Sequence, residues 1–326
     1  MGNPTDPHHA HTFRFSLIVA TVNRDAVLKR LLQSLALQTF RDFEVIVVDQ
    51  NEKIVLAPML AQQNWPFRIL HVRTIRDGGA SAARNLGWRQ ARGNALVFPD
   101  DDAWYPQDYL DRLNATLERT GAQIVTGRAA DPDGRTINGR FDMHSGPISR
   151  ANVFTTQIEW NMAVDALLIR MLGGYDANIS LGGPSAWQGG EGYDLVLRAL
   201  QLGATCYFDR DLIGHHQELP AHTPDAAMVR KGRIYARGLG FVLKKHSFGV
   251  ASLAWWVSRS LVNLALAALV LRLDRMRYYG AQAIGRVEGW TGILWQGPWT
   301  LECNGHDPGP GQPIRQKPEP QEQQAI

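Results

Sequence analysis

The sequence predicts an α/β fold, with an open, mostly parallel sheet flanked by helices and a helical appendage at its C-terminal end. Three observations support this fold class. Apolar runs alternate with helical patterns over the first hundred residues, as they do in parallel sheets. Polar and acidic residues follow the apolar runs directly, at the strand ends where open α/β sheets bind ligands. Residues 226–290 are basic and mainly helical in pattern.

The first fifty residues predict a βαβ unit. Residues 13–20 form an apolar run that ends at Thr21, residues 26–37 have the spacing of an amphipathic helix, and a second apolar run, 43–48, stops at Asp49. Parallel strands joined in this way require a right-handed crossover. The same pattern continues with further elements, namely strands at 67–72 and 95–98 and a helix at 80–91.

The chain beyond residue 100 is less regular. Helices are expected at 106–119 and 194–202, and strands at 123–126 and 205–208. A tail rich in Pro, Gln and Gly cannot bury a core and is expected to be disordered. The expected division is a disordered N-terminus at 1–12, a catalytic domain at 13–225, a basic, partly apolar helical region at 226–300 and a disordered tail at 301–326.

Charge is unevenly distributed over the 326 residues, although the formal net charge is only +3. Residues 228–290 hold eleven Lys and Arg against two acids, a net charge of +9, which leaves −6 for the remainder. Such a segment is expected to face an anionic partner, either phospholipid or nucleic acid. Nucleic acid is disfavoured because the basic residues are interleaved with long apolar runs.

The two cysteines and the N-terminal residues bear on the cellular compartment of the protein. Cys206 and Cys303 lie far apart in a chain of this length, so neither a zinc site nor a redox motif is readable. A reducing cytoplasm fits best. The polar residues 1–12 do not have the pattern of a signal peptide.

Two motifs near the predicted strand ends point to chemistry. Asp100, Asp101 and Asp102 follow a strand, and adjacent carboxylates of this kind suit Mg2+ or Mn2+; a solvated turn that caps a helix is the alternative. Gly78 and Gly79 open a helix that carries Arg84. Backbone N–H groups and a guanidinium there suit a diphosphate or a base, although an ordinary loop with a surface arginine has the same pattern.

Later residues supply a second group of candidates. Glu191 and Asp194 lie three residues apart at the start of a helix, either as a general base and its neighbour or as charges paired with the helix dipole. His215 and His216 follow the last predicted strand, and adjacent histidines point apart, so at most one of them binds a metal.

Four motifs in this order resemble the family-2 glycosyltransferases of the GT-A fold. They are Ser-Leu-Ile-Val-Ala-Thr-Val-Asn-Arg at 16–24, Phe-Glu-Val-Ile-Val-Val-Asp-Gln at 43–50, Ala-Ser-Ala-Ala-Arg-Asn-Leu-Gly at 80–87 and Phe-Pro-Asp-Asp-Asp at 98–102. The resemblance covers about residues 13–220. It implies an inverting enzyme that uses a nucleotide-sugar donor, with Mg2+ or Mn2+ bridging the acidic motif and the donor diphosphate.

The resemblance also implies roles for single residues. Asp102 matches the direct metal ligand of the Asp-x-Asp motif, and His216 stands where similar enzymes complete the metal shell. The donor-binding residues that it implies are Thr21, Asn23, Arg24, Asp49, Arg84, Asp100 and Asp101.

The chain departs from the family at the position of the usual catalytic base. The family signature is Glu-Asp-x-Asp-Leu, and here its catalytic Asp is replaced by Gly192. We expect Glu191 to be the base, with Asp194 as the second choice. A catalytically inactive nucleotide-sugar-binding module is the alternative function. Trp187 and Gln188 are expected either to contact the acceptor or to pack.

The last segment with a predicted role is the apolar one at 250–277. Its uninterrupted run, 260–271, would reach about 18 Å as a helix, short of the roughly 30 Å bilayer core. Trp255, Trp256 and nearby arginines suit a helix that lies in the membrane interface, whereas a buried core helix is the alternative. An interfacial helix would imply a peripheral protein on the inner face of the membrane and a lipid-linked glycan acceptor.

Overall fold

The structure is a computed structural model that describes residues 13–61, 64–75, 78–219 and 222–295. The expected disordered segments 1–12 and 301–326 lie outside these residues. The strands are β1 (Phe13–Thr21), β2 (Phe43–Asp49), β3 (Arg68–Arg73), β4 (Gly93–Val97), β5 (Ile124–Ala130), β6 (Gly146–Pro147), β7 (Met162–Asp165) and β8 (Cys206–His215). The helices are α1 (Asp25–Ala36), α2 (Leu56–Ala61), α3 (Gly79–Trp88), α4 (Tyr109–Thr120), α5 (Ala166–Leu172), α6 (Glu191–Gln201), α7 (Ala226–Lys245), α8 (Val250–Leu269) and α9 (Leu273–Thr291).

The described strands form one mixed sheet in the order β3-β2-β1-β4-β7-β5-β8-β6. Strands β1 to β4 pair in parallel, as the βαβ pattern predicts. Their bounds agree with the predicted ones to within one or two residues, and the predicted helices differ by up to three, since patterns locate element ends least well. The expected fold of an open, mostly parallel sheet flanked by helices is confirmed.

The sequence did not predict β7, which lies antiparallel between β4 and β5. A strand of four residues is too short to show a period, and the helix α5 follows it at once. Because β7 runs against its neighbours, its first residue lies at the edge where the parallel strands end. The residues that precede β7 therefore join the same edge of the sheet.

Apolar layers cover both faces of the sheet. On one face the buried leucines of α1 and Tyr109 of α4 pack on Leu17 and Val19 of β1. On the other face Ala83 of α3 and residues of α5 and α6 pack on Ile18. Alternate residues of one strand thus serve opposite layers, as the pleat requires.

Helices α7 and α9 pack closely through glycines. A Cβ on Gly285 would lie 2.4 Å from the Arg233 carbonyl oxygen, and one on Gly240 would lie 2.2 Å from that of Arg286. The same pairing of backbones brings α7 to the turn before α6, where a Cβ on Gly238 would lie 1.9 Å from the Gly189 oxygen. Helix α7 of the appendage therefore packs directly against the α/β part of the chain.

Helix α8 packs on α9 and otherwise faces outward. Only 11% of its apolar window is buried, which excludes the alternative of a core helix, and its mean hydropathy is 1.3. The 20 residues of α8 would reach about 30 Å, so the helix is longer than the apolar run alone suggested. By length and composition it could cross a membrane, and one side of it packs along α9.

The close approach at Gly238 predicts that an alanine substitution there lowers stability, whereas the same substitution at Gly280 raises it. Gly238→Ala places a methyl group against backbone and is expected to lower stability by about 1–3 kcal/mol. Gly280→Ala is the matched control, because its Cβ would meet only the Leu264 side chain at 3.5 Å; it should raise stability by about 0.5–1 kcal/mol. Chemical denaturation of both variants measures the difference, and an equal gain in both would contradict the described packing.

Candidate active site

A cavity of about 660 Å³ lies at the edge of the sheet where the parallel strands end, a size typical of ligand sites. Its floor contains Thr21 at the end of β1, Asp100 after β4 and His216 after β8. Helices α7 and α9 form part of its wall, with Tyr235 and Arg286 among their lining residues. Residues from three separate parts of the chain thus lie together at the edge of the sheet where its parallel strands end.

The three aspartates of the triplet have different surroundings. Asp101 is buried and accepts hydrogen bonds from the Thr21 hydroxyl at 2.7 Å and from Arg24 at 2.8 Å. Burial raises the pKa of Asp101 despite these bonds. Asp102 contacts Arg24 at 2.8 Å and His216 Nε2 at 2.9 Å. Although burial opposes ionisation, the His216 hydrogen bond and Arg24 lower the pKa of Asp102 to about 2.

Asp100, Asp102 and His216 offer ligand atoms that all lie within 4.8 Å of one another. The His216 Nδ1 donates to the Gln217 carbonyl at 2.8 Å, which orients Nε2 toward the two carboxylates, the arrangement found behind many metal-binding histidines. Burial lowers the pKa of His216, but Asp102 outweighs it and the net shift is upward. Two carboxylates and one imidazole fit a divalent cation in donor type and spacing.

Arg84 connects this cluster to a second group of carboxylates. Its guanidinium donates to Asp100 at 2.8 Å and to Glu159 at 2.7 Å, and it lies 3.9 Å from Glu191. The side chain is buried. Burial opposes its charge, but Glu159 and Asp100 outweigh burial and raise the pKa of Arg84.

Glu159 and Glu191 both line the cavity; Glu191 is buried, whereas Glu159 is half-buried. Burial, the largest effect, raises the pKa of Glu159 well above its usual value even though Arg84 opposes this. Burial likewise raises the pKa of Glu191. Glu191 accepts a long hydrogen bond of 3.4 Å from the Leu181 amide, so it is held less tightly than Glu159.

Gly192, which stands at the position of the family's usual catalytic Asp, also faces the cavity. A Cβ there would lie 2.8 Å from the Gln157 Oε1 and 3.1 Å from the Glu159 Cβ. The space that a longer side chain would need is therefore already occupied by Gln157 and Glu159.

Asp194, the second choice for the base, is not part of the cavity lining. It is fully buried and accepts hydrogen bonds from Arg198, Lys245 and His246 at 2.7–2.8 Å. One turn of helix separates it from Glu191, and it faces the C-terminal end of α7 instead. These partners belong to α6 itself or to the end of α7, so the structure places Asp194 in a contact between two helices.

The two expected acceptor residues also lie outside the described cavity lining. Trp187 stacks on Phe241 of α7 with ring centres 5.3 Å apart. Gln188 bonds to backbone atoms of Gly182, Gly183 and Ser185. These contacts are the ones that the packing interpretation predicts, and contact with an acceptor stays a prediction.

Asn23 and Asp49 are not among the described residues that line the cavity, although Val22, Arg24 and Gln50 beside them are. Asn23 has a positive φ of 55° and its amide donates to Asn51 Oδ1 at 2.5 Å. Asp49 is fully buried; one oxygen accepts from Asn51 and the other contacts His71 at 2.9 Å. Asp49 therefore holds the loop after β2 in place beneath the cavity edge.

Sequence reasoning missed Glu159, which lies in a short turn of 3-10 helix just before β7. The pattern of polar residues at strand ends points to residues that follow strands, whereas Glu159 precedes one. A prediction of β7 as antiparallel would have found it.

Comparisons with known proteins agree with this geometry. A family model described as Glycosyl transferase family 2 matches residues 16–169. A PGL/p-HBAD biosynthesis glycosyltransferase of Mycobacterium tuberculosis is 33% identical over 184 residues, 51% of this chain and 68% of the relative. An uncharacterized glycosyltransferase of Haemophilus influenzae is 29% identical over 194 residues, 57% of this chain and 62% of the relative. The chain thus spans less than two thirds of the latter's length.

A solved structure shows a similar fold. The mannosyltransferase PcManGT from Pyrobaculum calidifontis, in complex with GDP-Man and Mn2+, superposes with a TM-score of 0.59 at 16% sequence identity. The match covers 85% of this chain and 88% of that one. At this identity the likeness concerns the fold alone.

The network around Asp194 leads to a stability prediction. Asp194→Asn removes the fully buried carboxylate from its ion pairs with Arg198 and Lys245 and should lower the free energy of unfolding by about 3 kcal/mol or more. Asp176→Asn, which removes a partly exposed contact with the same Lys245, is the control and should cost about 1 kcal/mol or less. Thermal melting of purified variants measures both.

The pH dependence of the same contact has a defined sign. Burial opposes its charge, but His246, Arg198 and Lys245 lower the pKa of Asp194 below its usual range. Its stabilisation is therefore complete above the unfolded pKa of about 3.9 and is lost as the pH falls toward the lower folded value. Asp194→Asn should show a smaller loss of stability below about pH 4 than the wild type; equal losses would contradict the described network.

Proposed function

We propose a function for this chain from its family: the chain belongs to glycosyl transferase family 2, and its GT-A-like fold, first expected from motifs, is confirmed. We propose that it transfers a sugar from a nucleotide-sugar donor to an acceptor hydroxyl, with inversion at the anomeric carbon. The observation that carries this proposal is the cavity that joins Asp100, Asp102 and His216 to the carboxylates of Glu159 and Glu191.

The donor is proposed to bind on the β1–β2 side of the cavity. Thr21, Arg24 and Asp101 form one hydrogen-bonded group there, and Asp49 fixes the adjoining loop. Arg84 is proposed to act on the donor side indirectly, by holding Asp100 in place. It is not proposed to bind the donor itself, because carboxylates already engage both ends of its guanidinium. Asn23 contributes by holding the turn after β1 to Asn51.

Mg2+ or Mn2+ is the proposed cofactor, held by Asp102 and His216 with Asp100 beside them. Such a cation would neutralise negative charge on the leaving diphosphate. Arg24 contacts both Asp101 and Asp102, so in the described state it offsets part of the charge of the same carboxylates.

Glu191 is the proposed general base. The acceptor hydroxyl gives its proton to this carboxylate while its oxygen bonds to the anomeric carbon, and the bond from that carbon to the nucleoside diphosphate breaks. Glu159 is less suited, since Arg84 binds one of its two oxygens at 2.7 Å, whereas Arg84 lies 3.9 Å from Glu191. Its proposed part is to fix Arg84 between the two halves of the cavity.

The acceptor is proposed to be a lipid-linked glycan, reached from a membrane surface. Trp255, Leu266 and Leu269 of α8 are between 56% and 81% exposed, and Arg272 and Arg275 lie just beyond the helix. An apolar face with a basic border suits the interface of an anionic bilayer. This gives a peripheral enzyme on the cytoplasmic face of the membrane.

Transfer assays with a panel of sugar nucleotides, with Mn2+ or Mg2+ present or chelated, test the activity. Glu191→Gln should lower kcat by about 10²–10⁴-fold with little change in the donor KM. The wild-type rate should fall as the pH drops through the raised pKa of Glu191, above the usual value of about 4.3, because a base must be ionised. Glu191→Gln should lack this acidic limb.

Glu159→Gln is the matched comparison in the same assay. If the acidic limb persists in Glu191→Gln and vanishes in Glu159→Gln, then Glu159 is the base. If the wild type binds a sugar nucleotide with metal but neither transfers nor hydrolyses it, and Glu191→Gln changes nothing, the chain is the inactive binding module that Gly192 suggests.

Vesicle sedimentation tests the membrane contact. The wild type should bind vesicles that contain phosphatidylglycerol, less so at high salt, and a double change of Leu266→Glu and Leu269→Glu should weaken binding about tenfold or more. Leu37→Glu, at a leucine that is 67% exposed and follows α1, is the control. A wild type that stays in the supernatant at low and high salt would overturn the proposed contact.

A further inference from the structure

Arg286 of α9 is a buried cation in the cavity wall that the proposed chemistry does not use. It is 8% exposed, and its Nη1 donates to the Trp256 carbonyl at 2.6 Å and to the Ser260 hydroxyl. Its Nε is buried with no hydrogen-bond partner. Both protein partners of the guanidinium are neutral, and they come from α8.

No carboxylate of the described chain forms an ion pair with Arg286, which sets it apart from Arg84 and Arg233. Arg84 pairs with Glu159, and Arg233 pairs with Glu288. Arg128 lacks an acid but is bound by two carbonyl oxygens and a hydroxyl. A buried charge without such partners is costly, and a ligand anion would remove that cost.

The charges near Arg286 are also positive. Burial, followed by the effect of Arg259, lowers the pKa of Arg286 to about 10, so it remains a cation at neutral pH. Lys231 of α7 lines the same cavity. The potential at this part of the cavity thus favours an anion and differs in sign from the carboxylate floor.

A row of aromatic rings connects Arg286 to the helix that begins with the general base. Tyr193 of α6, two residues after Glu191, contacts Phe154 at 5.1 Å between ring centres, and Phe154 contacts Trp256 at 5.6 Å. The Arg286 guanidinium lies 5.5 Å from the Trp256 ring centre. None of these three rings belongs to β1 or β2, the strands of the proposed donor side.

We propose that Arg286 binds a phosphate group of the acceptor. This rests on the proposed function, and it names the class of acceptor: a phosphate ester whose hydroxyl-bearing part reaches Glu191. A guanidinium with free donors suits phosphate oxygens. Trp256 and Ser260, which hold Arg286, belong to the helix whose outer face is apolar and exposed, so a lipid-borne phosphate would reach the cavity along α8.

Binding of short amphiphiles to the full chain tests the site without an identified acceptor. Octyl phosphate and octyl glucoside share a tail and differ in the charge of the head group, and calorimetry below their micelle concentrations compares them. The wild type should prefer octyl phosphate about tenfold or more. Arg286→Gln should abolish the preference while its amide still donates to Trp256, and Arg286→Lys should retain part of it.

Arg230→Gln is the matched control, because Arg230 is an exposed cation of α7; it should keep the preference. Arg286→Gln is expected to melt close to the wild type, since it removes an unpaired buried charge. Competition by inorganic phosphate distinguishes a soluble from a lipid-borne phosphate ligand. Effective competition with octyl phosphate supports a soluble phosphorylated acceptor, whereas weak competition supports a lipid phosphate.

Two results would overturn the site. One is a wild type with no preference for octyl phosphate, and the other is a rise in the KM for the sugar nucleotide in Arg286→Gln, which would assign Arg286 to the donor. A wild type that keeps the phosphate preference but transfers no sugar would overturn the proposed function and leave the anion site standing.

Discussion

The structure of the site depends on one buried cation, Arg84. It holds Asp100 on one side and Glu159 and Glu191 on the other, and without it these carboxylates would repel one another in a medium of low polarity. Arg84 is itself fixed by its helix, because Ser81 of α3 bonds to Ile179 and Ser180 in the segment that leads to α6. The distance between the two groups of acids is thus set by backbone contacts.

The parallel strands β1 to β4 were readable from the sequence to within two residues, whereas β8 continues to His215 although its predicted strand ended at residue 208. The resemblance to the family singled out His216, and the rule that ligands gather at strand ends pointed to Thr21 and Asp102. It failed for Glu159, because that residue precedes a strand of reversed direction. It also could not separate Glu191 from Asp194, since a spacing of three residues fixes neighbourhood on a helix but not which side of that helix meets the cavity.

The appendage shows why counted charge is an incomplete guide to surface chemistry. The excess of positive charge in residues 228–290 suggested an external anion, yet Arg233 and Arg237 point inward to the buried Glu288. Arg286 also lies inside, against the cavity. Part of the basic character that the sequence displays is therefore structural, and only the remainder is available to a membrane.

The contact between Gly189 and Gly238 has a mechanical meaning. Backbone touches backbone there, with no side chain between them to yield by changing rotamer, and the turn at Gly189 leads directly into Glu191. A shift of α7 toward this turn would therefore displace the backbone that leads to Glu191. Since α9 packs on both α7 and α8, the outer helix is connected through packed helices to the wall of the cavity.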